Sequence, residues 1–143
     1  MDYQKIEGGF FLKLNRGEKL IQRLKEFAKT MSIRSGIVSG IGVVRNARLG
    51  YYHLDRKKYA EKEIVEEREL VSLSGNISWL GEEPIVHCHV TLGGPDFQAI
   101  CGHLFEAEIG ITGELCLLNF SSRLERAWDE STGLNLQKLD DGS

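Results

Sequence analysis

The sequence predicts an α+β domain: a mainly antiparallel β-sheet with one long helix, over about residues 16–31, packed on it. Three observations carry this. One segment alone keeps a helical period; eight segments read as strands; and 143 residues with no linker suit a single domain, 1–143, with its core over about 8–139.

Residues 9–14, Gly-Phe-Phe-Leu-Lys-Leu, form the first strand candidate. Asn15 then offers an N-cap, and Glu18 three residues later completes a capping-box pattern. Leu20, Ile21, Leu24, Phe27, Ala28 and Met31 follow on one helical face, which predicts a helix covering a sheet. Residues 33–44 carry Ile and Val among Gly36, Gly40 and Gly42. These glycines lack the spacing of a phosphate loop or dinucleotide fingerprint, so they read as bulges or close backbone approaches. Further strands are expected at 46–53, 63–73, 75–79, 85–92, 98–108 and 113–120. Trp128 would anchor the segment 123–130 on the domain or at a subunit contact, and Asp140–Ser143 read as a frayed polar end.

Composition narrows the function classes. At 41% hydrophobic and 27% charged, the chain reads as an ordinary globular protein. It has no apolar run of membrane-spanning length and no signal-peptide pattern, which predicts a cytoplasmic protein without a membrane partner. An odd count of three cysteines argues against a disulfide framework, and Cys116 reads as a small buried apolar residue. The net charge of −3 disfavours a strong nonspecific grip on nucleic acid. Arg45, Arg48, Arg56, Lys57 and Lys58 nevertheless form a local basic stretch, followed by Glu61, Glu63, Glu66, Glu67 and Glu69.

The chemistry-bearing pattern is His87-Cys88-His89. On a strand, residues i and i+2 share a face. His87 and His89 therefore project together, while Val86, Cys88 and Val90 face the core. Gly93-Gly94-Pro95-Asp96 signals a turn, after which a strand carries His103. Pairing Leu92 with Gln98 across a five-residue loop brings His103 to the same face, opposite His87, and sets His89 opposite Cys101. Three imidazoles suit a divalent transition metal, zinc foremost, with a position open to water or a small-molecule ligand. Cys101 is the candidate fourth protein ligand. Cys88 faces away from the histidines, which cannot activate it. His53 lies apart from the cluster.

An enzymatic use of such a metal would need an acid or base nearby. Glu106 and Glu114 are the residues to inspect, although Glu106 falls on the face opposite His103. A cupin would carry a glutamate soon after the second histidine, where this chain has Val-Thr-Leu-Gly-Gly-Pro-Asp.

Taken together, Leu-Asn-Arg-Gly-Glu-Lys-Leu (14–20), Ser-Gly-Ile-Val-Ser-Gly-Ile-Gly (35–42), Leu-Gly-Tyr-Tyr (49–52), Glu-Leu-Val-Ser-Leu-Ser-Gly-Asn-Ile (69–77), His-Cys-His-Val (87–90) and Gly-His-Leu-Phe-Glu-Ala (102–107) are specific. In this order they resemble the PPC domain of plants and prokaryotes, in its stand-alone prokaryotic form. The resemblance implies a compact α+β fold and a homotrimer, and places the family's histidine pattern on His87, His89 and His103. Glycine is common in the family where this chain has Cys101. Prokaryotic members are often described as DNA-binding, which makes a DNA-associated regulatory protein the alternative function. In plants an Arg-Gly-Arg-containing AT-hook makes the DNA contact, and no Arg-Gly-Arg occurs here.

Overall fold

Alternating apolar and polar residues run through most of the chain, and they form long strands that bend rather than stop. A computed structural model describes residues 1–139, and the expected frayed end at 140–143 lies outside them. The strands are β1 (Asp2–Ile6), β2 (Gly9–Asn15), β3 (Ser35–His53), β4 (Lys58–Ile64), β5 (Arg68–Leu80), β6 (Glu83–Gly93), β7 (Ala99–Phe120), β8 (Glu125–Asp129) and β9 (Leu134–Lys138). The helix is α1 (Leu20–Thr30).

Among the described residues strand makes up 68% and helix 8%, so the α+β expectation with one long helix is corrected to a mostly β fold with one short helix. The helix is short because of residues 15–19. The contact expected of a capping box does form, with the Asn15 N–H donating to Glu18 Oε2 at 2.8 Å. It closes a tight turn instead of opening a helix. The Glu18 N–H donates to the Asn15 carbonyl, Gly17 sits at φ +85°, and Lys19 bridges to Glu108 of β7. The helix begins only at Leu20, with Lys19 as an N-cap whose side chain makes no capping bond.

The expected apolar stripe is buried from Leu20 to Ala28, whereas Met31 is the C-cap and only partly buried. Leu20, Ile21, Leu24, Phe27 and Ala28 are all buried, packed with Leu12, Leu14, Leu115 and Leu117 from β2 and β7. Burying such side chains is worth roughly 1.5–3 kcal/mol each.

The sheet is antiparallel apart from one parallel bridge between β5 and β8. β3 pairs with β5 and β7, and β6 also pairs with β5 and β7, so these four strands close a ring. The segments expected at 33–44 and 46–53 are one strand, bent where the register shifts near Gly40–Gly42 and Arg45–Arg48. A Cβ on Gly42 would lie 2.2 Å from the Thr112 carbonyl oxygen, which bears out the close approach read from the glycines. The stretch 63–73 divides between β4 and β5, and β7 spans both 98–108 and 113–120. Cys116 is only partly buried, because its neighbours Leu115 and Leu117 take the core face. Among the described residues no helix is long and apolar enough to cross a membrane.

Candidate metal centre

Two paired strands bring the three histidines together. β6 carries His87 and His89 with Cys88 between them, and Cys88 is fully buried. Burial pushes its thiol up to about 12, so it is inert beside the imidazoles that point the other way. β7 pairs with β6 so that His103 lies opposite His89, and Asn76 of β5 lies opposite His87.

The expected register, with His87 opposite His103, is two residues off. The loop has the five residues expected, but it is 94–98 rather than 93–97. Its own hydrogen bonds fix it there: the Gly94 N–H donates to the Gln98 carbonyl at 2.9 Å, and the Gln98 N–H donates to Asp96 Oδ1 at 3.1 Å. A slip of two returns each side chain to its original face. The three imidazoles therefore still converge, with ring centroids 5.2 Å apart for His87–His89, 5.2 Å for His87–His103 and 5.6 Å for His89–His103. One nitrogen from each ring lies within 4.8 Å of the others.

Cys101 does not join them. It is exposed and lies opposite Thr91, not His89. His53 ends β3, its ring edge-on to Tyr51 at 5.0 Å.

The environment of His103 is aromatic. Tyr59 and Phe105 flank its ring at 5.2 and 4.8 Å, and Arg48 lies over Phe105. Nδ1 of His103 is buried without a hydrogen-bond partner. An orphaned ring nitrogen is costly unless something accepts its proton or uses its lone pair. Burial lowers the pKa of His103 to about 4, helped by His87, His89 and Arg126, and burial lowers that of His87 as well. Neutral imidazoles are the form a metal requires. Zinc–nitrogen bonds of ~2.0–2.1 Å put two donors roughly 3.4 Å apart, so small ring rotations would complete the set. The residues present fit a divalent transition metal.

These shifts have a consequence without metal. A histidine whose folded pKa lies below its ordinary 6.5 is protonated first in the unfolded chain. Its stability contribution is full above about pH 6.5 and is lost as the pH falls toward about 4. The urea midpoint of metal-free protein should fall across that window, and His103→Asn should flatten part of the fall. Identical profiles would show that His103 is not held neutral by burial.

Sequence reading missed Arg126. The hairpin β8–β9 was not foreseen, and Trp128, its expected anchor, is 62% exposed. Arg126 is the anchor. Its Nε donates to Ser78 Oγ at 2.7 Å, Nη1 to the Asn135 carbonyl at 2.9 Å and Nη2 to Asn76 Oδ1 at 3.2 Å. Asn76 lies opposite His87, so the guanidinium stands beside the imidazoles. No local pattern announces such a long-range pairing.

The two acidic candidates also resolve. Glu106 is engaged at the start of α1, where Oε1 accepts from the Ile21 N–H at 2.7 Å and Oε2 from the Gln22 N–H at 3.1 Å. Glu114 is exposed beside Lys13. The basic stretch is largely paired: Arg45 with Glu108, Arg48 with Glu61, and Lys57 with the Glu130 carbonyl.

Known proteins share this fold. A metal-containing protein from Archaeoglobus fulgidus is 39% identical, with 96% of each chain covered and a TM-score of 0.85. A proposed DNA-binding protein from Bacteroides thetaiotaomicron VPI-5482 is 31% identical over 96% of each chain, at a TM-score of 0.92. A plant- and prokaryote-conserved protein from Pyrococcus horikoshii is 29% identical over 98% of this chain and 95% of its own, at 0.86. Among curated proteins no match was found. The description of the Plants and Prokaryotes Conserved domain fits residues 1–121, which hold both the ring of strands and all three clustered histidines, and the chain therefore belongs to that family.

Proposed function

We propose that the protein is a metal-binding member of the family, in which His87, His89 and His103 hold one divalent transition metal, zinc foremost. The convergence of three ring nitrogens within 4.8 Å carries the reading. The orphaned Nδ1 of His103 and the metal-containing relative from Archaeoglobus fulgidus support it. Bound with three protein ligands, the ion would supply a Lewis-acid position open to water or a small ligand. The protein's own part is to keep His103 neutral between Tyr59 and Phe105 and to set a positive charge, Arg126, nearby. Elemental analysis of the purified chain tests the reading. About one zinc per chain is expected, and no metal after reconstitution would overturn it.

The working form would be a homotrimer in the cytoplasm. Ile37 pairs with Leu118, and both are exposed on the sheet face that α1 leaves uncovered, near exposed Phe11 and Ile41. Contiguous exposed apolar side chains on a sheet mark an interaction surface. Ile37→Glu should convert a species of three chain masses in light scattering into monomer. A wild-type protein that is already monomeric would overturn the assembly.

A DNA-associated role is the second reading. It is favoured by the description of the Bacteroides relative and opposed by the pairing of Arg45 and Arg48 with glutamates. Real phosphate contacts would make log affinity fall linearly with log salt concentration.

A further inference from the structure

His87 and His103 wall an open cleft of about 190 Å³, lined also by Tyr59, Ile85, Leu134, Leu136 and Arg126. We propose that this cleft binds a small monocarboxylate with a short apolar body. The carboxylate sits on Arg126, and the body lies against Ile85, Leu134 and Leu136. The inference rests on the metal reading above and names the ligand class for the same site.

Charge is the first ground. Arg126 is partly buried and is held by Ser78, Asn76 and the Asn135 carbonyl, all neutral acceptors. Among the described residues no carboxylate forms an ion pair with it, whereas Arg45, Arg48 and Arg123 each have one. A guanidinium withdrawn from water with only neutral acceptors favours an anion from outside.

Donor count is the second ground. Of five guanidinium N–H groups, three are used: the one on Nε and one on each terminal nitrogen. One N–H remains on each terminal nitrogen, two donors for the two oxygens of a carboxylate. Phosphate would bring four oxygens and more charge to a cleft whose other walls are largely apolar.

Size and lining are the third. A cavity of ~150 Å³ holds benzene, so this cleft suits roughly six to eight non-hydrogen atoms. Ile85, Leu134 and Leu136 give that body an apolar surface, while His87 and His103 stand at the polar end beside Arg126.

The test begins with the zinc content of wild type, Arg126→Gln and Arg126→Lys. Butyrate and, separately, inorganic phosphate are then titrated into each zinc-loaded protein by calorimetry. Butyrate should bind wild type and bind Arg126→Gln about tenfold more weakly or worse. Arg126→Lys, which keeps the charge and loses the fork, should fall between, at unchanged zinc content. Should either variant unfold, the Arg126 Nε–H resonance of wild type decides, and it should shift on adding butyrate. Zinc near one per chain with no butyrate binding, or equal binding by Arg126→Gln, overturns this inference alone. Tighter binding of phosphate than butyrate overturns the carboxylate assignment. No zinc in wild type overturns the metal reading and this inference with it.

Discussion

Replacing His103 with alanine should lower zinc affinity by at least about 100-fold. Loss of a group that merely orients a metal ligand costs ~10–100-fold, and loss of the ligand itself costs more. His103 is the one member of the cluster that β7 contributes. Without it, His87 and His89 remain as two donors on one strand, and the exposed Cys101 does not stand near enough to replace the third. Stability gives an independent readout. A ligand present at 100 times its Kd stabilises the folded state by about 2.7 kcal/mol. Zinc should therefore raise the melting temperature of wild type and leave that of His103→Ala unmoved. Cys101→Ser should behave as wild type in both measurements. Zinc retained at full stoichiometry by His103→Ala would show that other residues hold the metal.

The candidate site was legible because strand parity survives errors of register. Two histidines at i and i+2 share a face whatever they pair with, and a slip of two residues at the turn leaves His103 on that face. The exact partner was not legible, since the hydrogen bonds of Gly94, Asp96 and Gln98 within the loop decide it. The buried stripe of α1 was legible from its period, but its start was not. A Ser/Thr/Asp/Asn-x-x-Glu pattern serves a tight turn as readily as a helix, and here Gly17 at φ +85° selects the turn. The mostly β balance was hidden in the short strands β1, β8 and β9, none of which has a fully buried residue to impose alternation. Arg126 was invisible for a related reason: its partners Asn76 and Ser78 lie 50 and 48 residues away.

The late start of the helix leads to the second large effect. Glu106→Ala should destabilise the protein by about 2–4 kcal/mol. A helix leaves its first N–H groups without internal partners, and α1 has no side-chain cap of its own at Lys19. Glu106 of β7 takes that role from across the fold, accepting from the Ile21 and Gln22 N–H groups with one oxygen each. Ile21 is buried, so its N–H cannot turn to bulk water when the carboxylate is removed. Hydrogen bonds to charged groups contribute ~1.5–3 kcal/mol, and a buried donor left unsatisfied costs ~1–3 kcal/mol. The negative charge also sits at the positive end of the helix dipole. Glu106→Gln keeps one acceptor oxygen and loses the charge, so it should lose about half as much. Urea unfolding of the three proteins measures this through the midpoint at constant slope. Zinc affinity should be nearly unchanged in both variants, because the Glu106 carboxylate is engaged by the Ile21 and Gln22 N–H groups and is not among the clustered donors. If Glu106→Ala unfolds at the wild-type midpoint, the start of α1 is satisfied by water, and the link between β7 and the helix contributes nothing to the fold.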